Sequence, residues 1–238
     1  ETADLRAVTT AALSALSSDQ INSLSSDEVA SLGTNQVASL STAQVKGLTA
    51  NDMTALGTAQ VGVLNSAQIQ ALNTDQLSAI DAGDMKALTT GALRALSNAQ
   101  IDGLTSDQLR ALTTAQVNSL TTDQIRGLNT DDLNVLTSDQ FAKLATGQVQ
   151  ALSASQLSHL ATDNLNAMGT GQFAVLTSTQ FGALTTDQLS RMETADLRAV
   201  TTGALSALSS DQINSLSTDE IANLGTNQVA ALSSAQIK

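Results

Sequence analysis

Apolar residues recur along the chain at alternating spacings of three and five residues, which together make a strict period of eight. Counted from Glu1, the 238 residues form 29 complete octads and a six-residue remainder, with no insertion or deletion. Position five is apolar in all 30 octads, and position eight is apolar in all 29, of which 24 are Leu. The chain is therefore a repeat protein. The octads are numbered 1 to 30, and octad 16, residues 121–128, has the typical sequence TTDQIRGL.

The period of eight excludes one continuous amphipathic helix. Each octad would advance about 80° beyond two full turns, so the apolar pair would wind around the helix and face every side. Spacings of three and five do not alternate with the period of two that a strand requires. The pattern instead favours one very short helix per octad.

Helix start signals recur in register with this period. Position one is Ser, Thr, Asn, Asp or Gly in 26 of 30 octads, and position four is Gln in 19 of 30. This spacing is a capping box, in which the cap hydroxyl accepts the third amide and the Gln side chain accepts the amide of the cap. The predicted capping pairs include Thr113 with Gln116 and Thr121 with Gln124.

Such a short helix is unstable alone in water, so octads must stack on one another. We therefore predict an all-α solenoid of very short helices, one per octad, with several octads per coil and positions five and eight inside. Two, three and four octads per coil all remain open, and residues 1–238 form a single continuous array. The predicted core includes Leu16, Ile21, Leu24, Leu120, Ile125, Leu128, Phe141, Phe173 and Phe181.

A second period is much longer. Residues 1–46 recur at residues 193–238 with seven substitutions, an offset of 192 residues or 24 octads. The chain also lacks an initiator Met. Both features indicate a piece of a longer protein that carries further copies.

Composition excludes several functions. The net charge of −12 disfavours nucleic acid, and no apolar run is long enough for membrane insertion. There is no Cys and only one histidine, His159, so neither an enzyme nor a cofactor is expected. The adjacent Asp131 and Asp132 do not follow the spacing of a calcium loop. They are expected to serve as helix-dipole partners, and divalent cations to bind weakly at most.

The stretches LTTAQVNSL at residues 112–120 and LTTDQIRGL at residues 120–128 resemble octad arrays of very large bacterial proteins that are described as surface, adhesin-like or secreted. The resemblance covers the whole chain. It implies a bacterial protein at the cell surface or outside the cell, in which the array acts as a stalk, fibre or scaffold.

These observations predict a structural and interaction protein: an elongated scaffold that forms part of an extracellular fibre or adhesin stalk and associates with its own kind, end to end or laterally. The alternative is a binding module that recognises a peptide, glycan or surface along one face of the solenoid. A binding face is expected to show aromatic or Arg residues at outward positions.

Overall fold

The computed structural model describes residues 2–237 and gives each complete octad one short helix. Twenty-eight are α-helices, and octad 11 forms a 3₁₀ helix. No strand occurs within residues 2–237. The helices are Thr2–Ala7 (α1), Thr10–Ser14 (α2), Ser18–Asn22 (α3), Ser26–Ser31 (α4), Thr34–Ser39 (α5), Thr42–Gly47 (α6), Ala50–Ala55 (α7), Thr58–Gly62 (α8), Ser66–Ala71 (α9), Thr74–Ser78 (α10), Ala82–Ala87 (η1), Thr90–Ala95 (α11), Asn98–Asp102 (α12), Ser106–Ala111 (α13), Thr114–Ser119 (α14), Thr122–Gly127 (α15), Thr130–Val135 (α16), Ser138–Ala142 (α17), Thr146–Ala151 (α18), Ala154–Ser158 (α19), Thr162–Asn166 (α20), Thr170–Phe173 (α21), Ser178–Gly182 (α22), Thr186–Leu189 (α23), Thr194–Ala199 (α24), Thr202–Leu205 (α25), Ser210–Asn214 (α26), Thr218–Ala222 (α27) and Thr226–Ala230 (α28).

Each helix starts and stops within its own octad. In octad 9, Asn65 is the cap and its side chain accepts the amide of Gln68 at 3.0 Å. The helix ends when Leu72 turns to extended backbone, with φ −67° and ψ 144°. The amide of Leu72 then donates to the carbonyl of Ile69, a tight closing bond that satisfies one of the last carbonyls. The all-α solenoid of short helices predicted from the octad is thereby confirmed.

Among the 29 complete octads within residues 2–237, octad 11 is the one that does not form an α-helix. Asp81 caps the amide of Gly83, two residues on, at 2.7 Å, rather than the third amide that a Ser or Thr cap reaches in other octads. The amide of Asp84 then bonds to the carbonyl of Asp81 at 2.9 Å, which closes a three-residue turn.

The described residues form two compact units, Glu1–Gly127 and Leu128–Lys238. In each unit, the helices of octads three apart pack against each other, as α3 does on α6, α9 on α11 and α22 on α25. Hydrogen bonds also join octads four apart, as in the pair Gln68 and Leu40. A coil therefore contains between three and four octads, a number that the period of eight alone does not determine.

The core of each unit runs along positions five and eight. Position-five side chains such as Ile69 and Leu157 are fully buried, and position-eight side chains such as Leu72 and Leu160 are 3% and 5% exposed.

Position seven lies where successive coils approach closely. A Cβ added to Gly47 would come within 2.8 Å of the carbonyl oxygen of Ser18, three octads earlier. Small residues at position seven thus let neighbouring coils touch through their backbones.

Candidate functional site

The feature that repeats most regularly between coils is a buried glutamine at position four. Gln68 is 1% exposed, and its Oε1 accepts the amide of the cap Asn65 at 2.9 Å. Its Nε2 donates to the carbonyls of Val37 and Leu40, both at 2.9 Å. These two residues hold positions five and eight of the octad four places earlier. One side chain therefore closes its own helix start and also ties that helix to the preceding coil.

The same arrangement recurs through both units, and we call this series of hydrogen bonds the glutamine ladder. In nearly every case Nε2 reaches the carbonyl 28 residues earlier, and usually the one 31 residues earlier as well. The donors in the first unit are Gln36, Gln44, Gln60, Gln68, Gln76, Gln100, Gln108, Gln116 and Gln124. Those in the second unit are Gln156, Gln172, Gln180, Gln188, Gln212, Gln228 and Gln236.

Glutamine suits this position because its amide carries an acceptor and two donors. Asn has the same groups on a shorter stem, and its reach is insufficient: Asn164 approaches one backbone carbonyl, that of Asn134, at 3.5 Å. Glu has the right length but no donor when ionised. The capping box predicted from the sequence accounts for only one of the two roles of Gln. The missed signal was the strong excess of Gln over Glu at position four, 19 against 2, because a capping box alone accepts either residue.

Acidic residues take the place of the ladder glutamine in several octads, and an ionised carboxylate there has no donor for the carbonyls of the preceding coil. Asp52 is 2% exposed, and its carboxylate accepts the cap amide of Thr49 at 2.8 Å and the hydroxyl of Ser26 at 2.9 Å. Glu220 is 3% exposed, and its Oε2 accepts the cap amide of Ser217 at 2.5 Å. Its Oε1, in the place of the Gln amide nitrogen, is buried with no hydrogen-bond partner among the described residues.

Burial and hydrogen bonding shift the pKa of two carboxyl groups at position four in opposite directions. Desolvation and the nearby charge of Glu193 raise the pKa of Asp196 to about 6, and Asp196 is 5% exposed. Glu28 is at the accessible start of the array, where the backbone amide of Ser25 and then its hydroxyl donate to Oε2 at 2.9 and 3.0 Å. These two hydrogen bonds lower the pKa of Glu28.

The capping pairs singled out from the sequence form reciprocal hydrogen bonds. Thr121 Oγ1 accepts the amide of Gln124 at 3.2 Å, and Gln124 Oε1 accepts the amide of Thr121 at 2.9 Å. The corresponding distances for Thr113 and Gln116 are 3.2 and 2.8 Å. Both pairs also belong to the glutamine ladder, since Gln116 and Gln124 donate to the preceding coil.

The singled-out core residues occupy two kinds of environment. Leu16 and Leu24, in octads 2 and 3, are half-buried. The residues that are buried, with at most 4% exposure, are Ile21, Leu120, Ile125, Leu128, Phe141, Phe173 and Phe181.

Within residues 2–237, no group of three or more His, Cys, Asp or Glu side chains comes together in a way that could hold a metal ion. His159 is at the end of α19, where its Nδ1 lies 2.9 Å from the carbonyl oxygen of Ser155 and 3.1 Å from the hydroxyl of Ser158. None of the described helices has the length and apolar character that crossing a membrane requires.

The fold and the glutamine ladder define the class: a solenoid of octad repeats, with one short helix per repeat and three to four repeats per coil. The model of the ALTTAQ repeat family matches residues 1–34, 50–80, 77–114, 107–130, 114–146, 157–192 and 189–226. These segments cover most of the sequence, and the chain belongs to that family. A comparison with curated proteins found no match.

Proposed function

We propose that this chain is a structural and interaction protein, a repeat scaffold that forms part of a bacterial extracellular fibre or adhesin stalk. The observation that carries the proposal is the glutamine ladder. The polar side chains at positions one and four are used in hydrogen bonds within and between coils, as in octad 9. The chemistry that recurs at these two positions therefore builds the coil.

The mechanism of such a scaffold is mechanical. Most octads bury their aliphatic pair and their position-four side chain against octads three and four places away. Stability then spreads from coil to coil, as in other solenoids, and the scaffold lengthens by adding octads without a new core. The surface or extracellular setting is supported by the resemblance to octad arrays of large bacterial surface proteins.

The proposal is tested by labelling cells. Antibodies raised against the purified chain are applied to intact and to permeabilised bacteria that encode it, followed by immunogold electron microscopy. We expect gold on intact cells, arranged on fibres or at the cell periphery. Label that reaches the protein only after permeabilisation would overturn the extracellular assignment.

The alternative, a binding module, lacks a comparable observation. The three Phe side chains are at most 1% exposed, so none offers an outward aromatic anchor. A glycan and peptide array with the purified chain addresses it directly. Saturable binding that is lost when outward side chains of one face are substituted would favour the module over the scaffold.

A further inference from the structure

The glutamine ladder joins some coils more firmly than others. At the junction between octads 9–12 and octads 13–16, every position-four side chain donates its Nε2 to the carbonyl 28 residues earlier, at 2.7 to 2.8 Å. The donors are Gln100, Gln108, Gln116 and Gln124. We call this contact the complete junction, because all four of its octads contribute a donor.

The junction between octads 21–24 and octads 25–28 is held by fewer donors, and we call it the sparse junction. Its position-four residues include Asp196, Ala204 and Glu220, which are 5%, 0% and 3% exposed. The fourth is Gln212, whose Nε2 donates to the carbonyl of Leu184 at 2.6 Å. Among the described residues, one amide donor at position four therefore crosses the sparse junction, where four cross the complete junction.

Glu220 keeps the capping half of the ladder but not the half that joins two coils. Its Oε2 accepts the cap amide of Ser217 at 2.5 Å. Its Oε1 is buried and has no hydrogen-bond partner among the described residues. In the register that the next ladder glutamine follows, a donor at this place would reach the carbonyls of Leu189 and Met192. A carboxylate oxygen thus takes the place of an amide donor in the middle of the junction.

Asp196 is the second buried carboxyl group of the sparse junction. Its helix, α24, begins after Glu193, whose side chain makes no capping hydrogen bond. Burial, together with the charge of Glu193, raises the pKa of Asp196 from 3.8 to about 6. The neutral carboxyl group therefore favours the closed junction, and this contribution is lost as the pH rises from about 4 to about 6.

Carboxylates outnumber cations around Asp196. Of the helices packed against α24, α21 carries no charged side chain and α27 carries two acidic ones. The charged side chains of octads 21, 25 and 28, apart from Asp196 itself, are Asp163, Glu193, Arg198, Asp219 and Glu220. In octad 24, Asp187 and Arg191 pair with each other at 3.1 Å. The surroundings of Asp196 thus oppose its ionisation in the closed coil.

We propose that the sparse junction is a pH-sensitive weak point of the array, at which neighbouring coils separate more readily at neutral pH than in mildly acidic solution. Two features of the geometry act together. The junction has few donors, and it buries Asp196 and Glu220, whose side chains can donate a hydrogen bond only when they are protonated. This device goes beyond the scaffold function, because it belongs to the coil wherever the scaffold is located.

Hydrogen exchange of the complete chain, followed by mass spectrometry, tests the proposal. Peptides that cover residues 161–176 and 193–208 report on the sparse junction, and peptides that cover residues 65–80 and 97–112 report on the complete junction. Protection factors at pH 5.0 and 7.5 are corrected for the intrinsic effect of pH on exchange. We expect protection at the sparse junction to fall by up to about tenfold between the two pH values and protection at the complete junction to stay constant.

Two variants separate the two features. Asp196→Asn is neutral at both pH values and should lose most of the pH dependence. Glu220→Gln keeps the length of the side chain and restores the amide donor, so protection of the sparse junction should rise at pH 7.5. The matched control is Asp211→Asn, which removes an exposed carboxylate at position three of octad 27 and should leave the pH dependence unchanged. Each peptide is compared between variants, so its place in the chain cancels.

Three results would overturn the proposal: equal protection of the sparse junction at both pH values, an Asp196→Asn variant that keeps the full pH dependence, or a Glu220→Gln variant without a gain in protection. The circular dichroism spectrum of each variant checks that the fold is kept. Labelling of intact cells does not depend on any of these results, so the scaffold function and the sparse junction fail separately.

Discussion

The glutamine ladder makes a sharp prediction for Gln68→Glu. The substitution keeps the length of the side chain and the oxygen that accepts the amide of Asn65. It removes the donor to the carbonyls of Val37 and Leu40 and places a carboxylate oxygen against them. Two buried carbonyls then lack a donor and an unpaired charge is buried, which lowers the free energy of unfolding by about 3 to 5 kcal/mol.

The matched control is Gln20→Glu. Gln20 is exposed and makes the same capping bond, to the amide of Ser17, so its substitution tests the cap alone. We expect a change within about 0.5 kcal/mol there, as for ordinary surface substitutions. A Gln68→Met variant, which keeps the volume and removes every polar atom of the side chain, separates the missing donor from the added charge.

The assay combines urea unfolding, followed by circular dichroism, with hydrogen exchange of the peptides around residues 36–48 and 64–72. For Gln68→Glu we expect faster exchange in both segments and an unfolding midpoint that recovers as the pH falls, because the protonated acid again has a donor. The raised folded-state pKa of the new carboxyl means that stability is lost as the pH rises. Equal effects at positions 20 and 68 would refute the reasoning, since capping alone would then explain the choice of Gln.

Further predictions concern single positions. The pKa of Asp196 is raised from its ordinary 3.8 to about 6, so the free energy of unfolding is expected to fall as the pH rises from about 4 to 6. Asp196→Asn should remove this pH dependence. Urea unfolding midpoints at pH 4.5 and 7.5 measure the difference between the variant and the unmodified chain. Gly47→Ala should lower the thermal midpoint because its Cβ would meet the carbonyl of Ser18, whereas Gly147→Ala, with nothing within 4 Å, should raise it slightly; a shift in the same direction for both would contradict the close approach of coils. Leu120→Asp buries an unpaired charge at a position that is 4% exposed, so the helical signal should melt at much lower temperature, and unchanged melting would mean that position eight does not face the core.

Local features of this fold were predictable from the sequence because they depend on residues at most four apart. A cap such as Thr121 and its Gln124 lie three residues apart, and the buried Ile125 follows directly, so the start of each helix is encoded within one octad. The same reasoning gave the helical class and the inward positions five and eight.

The number of octads per coil was not predictable, because it depends on contacts between residues 24 to 31 apart. Successive octads have nearly the same sequence, so the sequence does not indicate that the amide of Gln68 donates to the carbonyl of Leu40 rather than to one in a nearer octad. The excess of Gln over Glu at position four indicates that the side chain donates a hydrogen bond, but it does not identify the carbonyls that accept it.

The coil brings position six of one octad against position seven of the octad three places on. A Cβ at Gly62 would lie 3.4 Å from the Cβ of Ala87, and a Cβ at Gly182 would lie 3.6 Å from that of Ala207. Both separations are close to those of disulfide-bonded cysteines, about 3.5 to 4.5 Å. The chain contains no Cys, so engineered pairs have no competing thiol.

Disulfide formation in the double variant Gly62→Cys with Ala87→Cys tests this contact. The variant is oxidised mildly and then analysed by mobility on a non-reducing gel and by mass spectrometry. The comparison variants pair Gly62→Cys with Ala79→Cys or with Ala95→Cys, one octad nearer and one octad farther along the chain. The three-to-four-octad coil predicts rapid and nearly complete cross-linking of the first pair alone. Cross-linking of either comparison pair in preference to the first would contradict the coil.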